Sequence, residues 1–131
     1  MDLRKRRNLL AFALFLGAAA HFAFAAAPVT DPDSGLEKPG RVINIVAERF
    51  SFVPSQIKLK QGEVVELRIR SLDTNHGFYI REAGVNVIVP KRGKGDARIL
   101  FRAKEKGIFP FECSKACGAG HTIMRGRIEV E

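Results

Sequence analysis

The chain has 131 residues, 46% of them hydrophobic and 27% charged, with ten Phe and no Trp, which suffices for one small core, falls short of two, and excludes a disordered chain. The formal charge is +8, of which Arg4, Lys5, Arg6 and Arg7 against Asp2 account for +3, leaving +5 for the remainder. No basic helix, RNP-like motif or zinc finger accompanies that charge, so nucleic acid is not among the expected partners.

The first element is an uncharged stretch, Leu9 to Ala27, rich in Ala, Leu and Phe and preceded by the basic cluster. This is the n-region and h-region order of an export signal. Ala23-Phe24-Ala25 fits a small-x-small cleavage site, whereas about twenty apolar residues would also span a bilayer. Residues 1–27 are therefore read as a signal peptide or as an N-terminal membrane anchor. Cleavage is favoured, because alanine makes the run weakly apolar and His21 lies within it. Both readings place the remainder in the periplasm or another extracytoplasmic space, with membrane association only through this segment.

Residues 28–40 hold Pro28, Asp31, Pro32, Asp33, Gly35, Pro39 and Gly40, a composition that punctuates, and are read as a linker. Residues 41–131 then carry short runs of Val, Ile and Phe separated by Gly, Pro, Asn and Asp, the spacing of an all-β domain. In chain order the predicted strands are Val42 to Ala47, Ile57 to Lys60, Glu63 to Ser71, Gly77 to Ile80, Val85 to Val89, Ala97 to Ala103, Ile108 to Phe111 and Arg127 to Glu131. The third is the clearest, with Val65, Leu67 and Ile69 on one face and Glu66, Arg68 and Arg70 on the other. About eight strands and no amphipathic helix predict an antiparallel Greek-key β-sandwich.

Between the last two strands runs Cys113-Ser114-Lys115-Ala116-Cys117-Gly118-Ala119-Gly120-His121-Thr122-Ile123-Met124. Thiolate and thioether sulfur select copper and other soft metals, imidazole suits copper, and zinc does not ordinarily use methionine. A loop between sandwich strands can return Cys, His and Met to one point, and His76 can approach from the start of another strand. Two cysteines four apart can each bridge two metals, and His76 with His121 then supplies one imidazole per copper. Asp73, three residues before His76, is either the partner that orients it or an Asx-turn residue. Phe109, Pro110 and Phe111 are expected to pack around the loop. Arg125 and Arg127 read as solvated strand residues.

These motifs, the Cys-Ser-x-x-Cys-Gly-x-x-His-x-x-Met loop and the upstream Asp-x-x-His, resemble the CuA domain of cytochrome c oxidase subunit II over residues 41–131. The resemblance implies a cupredoxin-like fold. It also implies a two-copper centre held by His76, Cys113, Cys117, His121, Met124 and the backbone carbonyl of Lys115. Family members pass single electrons from a donor such as cytochrome c or another periplasmic carrier toward the catalytic subunit of a terminal oxidase, and have no catalytic site of their own. Two departures stand out. Lys115 replaces a glutamate that helps to hold magnesium in the family, so that link is absent or different here. The Trp-containing electron-entry segment and the usual pair of transmembrane helices are also missing, which makes the chain most similar to the short subunit II of B-type haem–copper oxidases.

Three other readings of the same residues stay open at this level: a Cys113–Cys117 disulfide, a protein that delivers or stores Cu(I), and a mononuclear blue-copper site with Cys113 as a bystander.

Overall fold

The computed structural model describes residues 38–131; the export segment and most of the linker lie outside these. Nine strands follow one another: β1 Arg41–Glu48, β2 Ser51–Val53, β3 Gln56–Leu59, β4 Val64–Ser71, β5 His76–Ile80, β6 Val85–Val89, β7 Ala97–Arg102, β8 Gly107–Glu112 and β9 Arg125–Val130. They form two sheets, in the orders β2-β1-β4-β7 and β3-β9-β8-β5-β6. Among the described residues the only helical element is the 3-10 turn His121–Ile123, and no helix is long and apolar enough to cross a membrane.

The sandwich is mixed, which corrects the antiparallel expectation. β1 lies parallel to β4, with Ile43 opposite Leu67, and β3 lies parallel to β9, with Ile57 opposite Ile128. Alternation fixes which face a strand buries but carries no information on the direction of its neighbour. β2 is the strand absent from the expectation. It has only three residues and ends just before Pro54, which has no N–H to extend a ladder.

The alternation itself holds. Val65, Leu67 and Ile69 are buried and Arg70 is exposed, so β4 lays one apolar face against the second sheet. The core at the end of the sandwich that carries the cysteine loop is aromatic. Phe52, Phe78 and Phe111 are fully buried, with ring centroids 5.4, 5.5 and 4.9 Å apart, and each contributes about 2–3 kcal/mol of apolar burial. Phe111 thus packs beneath the loop as expected; Phe109 packs at the core margin against Phe101, and Pro110 is exposed.

Candidate metal centre

His76 opens β5 and is completely buried. Its Nε2 stands 2.7 Å from Oδ1 of Asp73. A carboxylate only accepts, so Nε2 carries the proton and Nδ1 presents its lone pair to the other side. There it meets Cys113 Sγ at 3.9 Å. Asp73 is itself fixed: the backbone N–H of Arg49 donates to Oδ2 at 3.1 Å, and the Asp73 N–H donates to Ser71 Oγ at 3.2 Å. Burial alone would raise the pKa of this carboxyl, but the hydrogen bonds from His76 and from the Arg49 and Thr74 amides outweigh it and hold it at about 2. Of the two readings of Asp73, the orienting one is realised in the geometry.

The loop leaves β8 at Cys113 and returns at Met124, and its ends are pinned by Cys113 N–H donating to the Met124 carbonyl at 3.0 Å. Inside it, Cys117 Sγ lies 3.8 Å from Cys113 Sγ, 4.0 Å from His121 Nδ1 and 3.9 Å from Met124 Sδ. Cys113 Sγ also sits 3.1 Å from the Lys115 carbonyl. Both cysteines are free and buried, and their sulfurs are far beyond the bonding distance of about 2.05 Å. Met124 is 1% exposed and His121 is half-buried. The nitrogen of His76 and the sulfurs of Cys113 and Cys117 all lie within 4.8 Å of one another. Burial, followed by the hydrogen bond and charge of Cys113, pushes the Cys117 thiol up to about 11, so a metal entering here must displace protons.

Two residues that the sequence did not single out complete the surroundings. Arg49 Nε donates to the Cys117 carbonyl at 2.7 Å while lying 3.9 Å from Asp73 Oδ2, and so links the loop to the histidine side of the cluster. Phe50 lies over the loop: a Cβ on Gly118, whose φ is +141°, would come within 2.9 Å of its ring. A charged residue and an aromatic just past a strand carry no motif, and only the tertiary fold brings them to the loop. Gly77 fits equally closely beneath the loop, since a Cβ there would meet the Lys115 backbone nitrogen at 2.7 Å. Arg125 and Arg127 follow the solvated reading; Arg127 pairs with Glu129 at 2.6 Å.

The donor set of two buried sulfurs, an oriented imidazole, a second imidazole and a buried thioether fits copper and is poorly suited to a hard cation. Replacing Asp73 by Asn keeps the shape and loses the anionic acceptor. The Asp73→Asn protein is expected to fold while its copper affinity falls about 10- to 100-fold, as read by competition with a Cu(I) chelator.

The cupredoxin-like domain family matches residues 8–128. Cytochrome c oxidase subunit 2 of Thermus thermophilus is 30% identical over 107 residues, covering 79% of this chain and 78% of that protein. Nitrous-oxide reductase of Cupriavidus necator is 34% identical over 110 residues, but these make up 17% of that protein. Among solved structures, the periplasmic domain of subunit II of cytochrome oxidase of Bradyrhizobium japonicum superposes with a TM-score of 0.65 over 72% of this chain and 86% of that one, at 16% identity.

Proposed function

The chain belongs to the cupredoxin-like domain family, with cytochrome c oxidase subunit II among its relatives, and from that premise we propose that it is an extracytoplasmic electron carrier with a two-copper centre of CuA type. The observation that supports this most is the convergence of a His76 ring nitrogen and both cysteine sulfurs within 4.8 Å, with His121 and Met124 beside Cys117. In this reading the thiolates of Cys113 and Cys117 and the imidazoles of His76 and His121 would hold the two coppers, with the Met124 sulfur and the Lys115 carbonyl as weaker donors. When bound, copper supplies one-electron redox chemistry.

The protein's own residues do the rest. Asp73 holds His76 in the tautomer that exposes Nδ1. The Cys113–Met124 backbone bond and the Arg49–Cys117 bond hold the loop in one shape, and Phe50, Phe78 and Phe111 exclude water. A rigid, dry setting keeps the geometry the same in both oxidation states, which lowers the reorganisation that accompanies each electron. The proposed partners are a periplasmic redox donor and the catalytic subunit of a terminal oxidase, with residues 1–27 as the export or anchoring segment and 28–40 as the linker.

Copper analysis with electron paramagnetic resonance on the purified chain tests the proposal. The expected result is about two coppers per chain and a hyperfine pattern with more lines than one copper nucleus can give. A colourless protein that exchanges Cu(I) freely would overturn it in favour of copper delivery. In the loaded protein, Met124→Leu should keep its copper and raise the potential by on the order of tens of millivolts in voltammetry, because a weakly held thioether would tune more than it anchors.

A further inference from the structure

Charge is distributed differently at the two ends of the sandwich. At the end remote from the cysteines, the connections alternate in sign: Lys60 is followed by Glu63, Arg81 by Glu82, and Lys104 and Lys106 flank Glu105. At the cluster end, the β6–β7 connection carries Lys91, Arg92 and Lys94, and Lys115 lies between the two cysteines; all four are exposed. None of these four forms an ion pair among the described residues. Two acids at this end are committed elsewhere: Asp73 to His76 and the Arg49 amide, and Asp96 to a two-pronged bond from Arg70 at 2.9 and 3.1 Å. Of the acids at neighbouring strand ends, Glu112 stands opposite Arg125, and Glu48 remains exposed on β1.

These cations border the cluster. Val89, the last residue of β6, pairs with His76. Lys91 N–H donates to Asn75 Oδ1 at 2.8 Å, and Arg92 N–H to the Asp73 carbonyl at 3.2 Å, so the basic connection is bound to the segment that orients His76. The Lys115 backbone lies against Gly77, the residue after His76. In the same loop Ile123, between His121 and Met124 in sequence, is 69% exposed, an apolar side chain of the kind that protein interfaces set within a polar rim.

We propose that this basic rim is a docking surface for an acidic redox protein, which it steers to the His76 side of the copper loop. The inference rests on the electron-carrier reading for its purpose, but the surface itself is defined by the protein's own charges. A cluster of one sign raises the encounter rate with an oppositely charged partner by about 10- to 1,000-fold at low salt. The exchange is one for one: the partner loses one electron, the copper centre gains it, and no bond or proton moves.

The test uses the full chain and two reduced c-type cytochromes, one acidic and one basic. Stopped-flow rates for the copper-loaded chain with the acidic cytochrome should fall at least about tenfold as ionic strength rises from roughly 0.01 to 0.5 M, as the screening length shrinks from about 30 Å to a few ångströms. The triple variant Lys91→Glu/Arg92→Glu/Lys94→Glu should lose about tenfold of the low-salt rate while keeping its copper. Lys60→Glu/Arg81→Glu/Lys106→Glu, with the same change in net charge at the remote end, should stay within about threefold. Titrating the metal-free chain with the oxidised acidic cytochrome should perturb amide resonances at residues 91–94 and 115.

Equal losses in the two triple variants, rates that fall with salt for the basic cytochrome alone, or a metal-free binding map centred elsewhere would each overturn the docking surface. A binding map at the rim with no electron passing from either cytochrome would instead uphold the surface and remove the carrier function.

Discussion

Replacing Cys113 by serine is expected to abolish the two-copper signature, with copper content falling from about two to one or fewer per chain. The variant keeps the volume and the loop: Cys113 contributes its N–H to the Met124 carbonyl through the backbone, which the substitution leaves intact. What it removes is the sulfur that stands 3.9 Å from His76 Nδ1, 3.8 Å from Cys117 Sγ and 3.1 Å from the Lys115 carbonyl. A hydroxyl is a hard, weakly acidic donor, and it cannot replace a thiolate between soft metals. Circular dichroism should be unchanged while the visible absorption and the many-line resonance spectrum disappear. Full copper content with the native spectrum would show that Cys113 is a bystander and that its sulfur is not a ligand of the copper pair.

The second large effect is expected at Gly77, a residue with no ligand atom. A Cβ at this position would lie 2.1 Å from Ser114 Oγ, 2.7 Å from the Lys115 nitrogen and 2.8 Å from the Ser114 nitrogen. The hydroxyl can rotate away, but the two amides are backbone, so β5 and the cysteine loop must separate. Gly77→Ala should therefore destabilise the metal-free protein by about 1–3 kcal/mol in denaturant unfolding and lower copper affinity in the same variant. Because the clash is with the main chain, adding Ser114→Gly should not restore either property. Recovery in the double variant would show that the side-chain hydroxyl alone makes the contact tight.

Periodicity and ligand chemistry were legible in the sequence because both are local. Val65, Leu67 and Ile69 announce a buried face whatever strand lies beside them, and the spacing of Cys113, Cys117, His121 and Met124 confines those four to one loop. Strand direction was not legible: nothing in Arg41–Glu48 says that it runs beside Val64–Ser71 in the same direction. Ser51–Val53 is too short for alternation to register. The supports of the cluster were hidden for the same reason. Arg49 reaches a carbonyl 68 positions away, and an arginine past a strand end looks like any solvated charge until the chain is folded.

The parallel pairing of β3 with β9 bears on when the cluster can exist at all. β9 is not an edge: it lies between β3 and β8 and supplies the residues that follow Met124. During synthesis Cys113 and Cys117 emerge before the strand that closes their loop. Long-range pairings of this kind form late and slowly, so there is an interval in which both thiols are exposed in an unfinished sheet. Closure of the cysteine loop in this sense waits on β9, and a cell that makes this protein has reason to guard the two sulfurs from oxidation until that strand is in place.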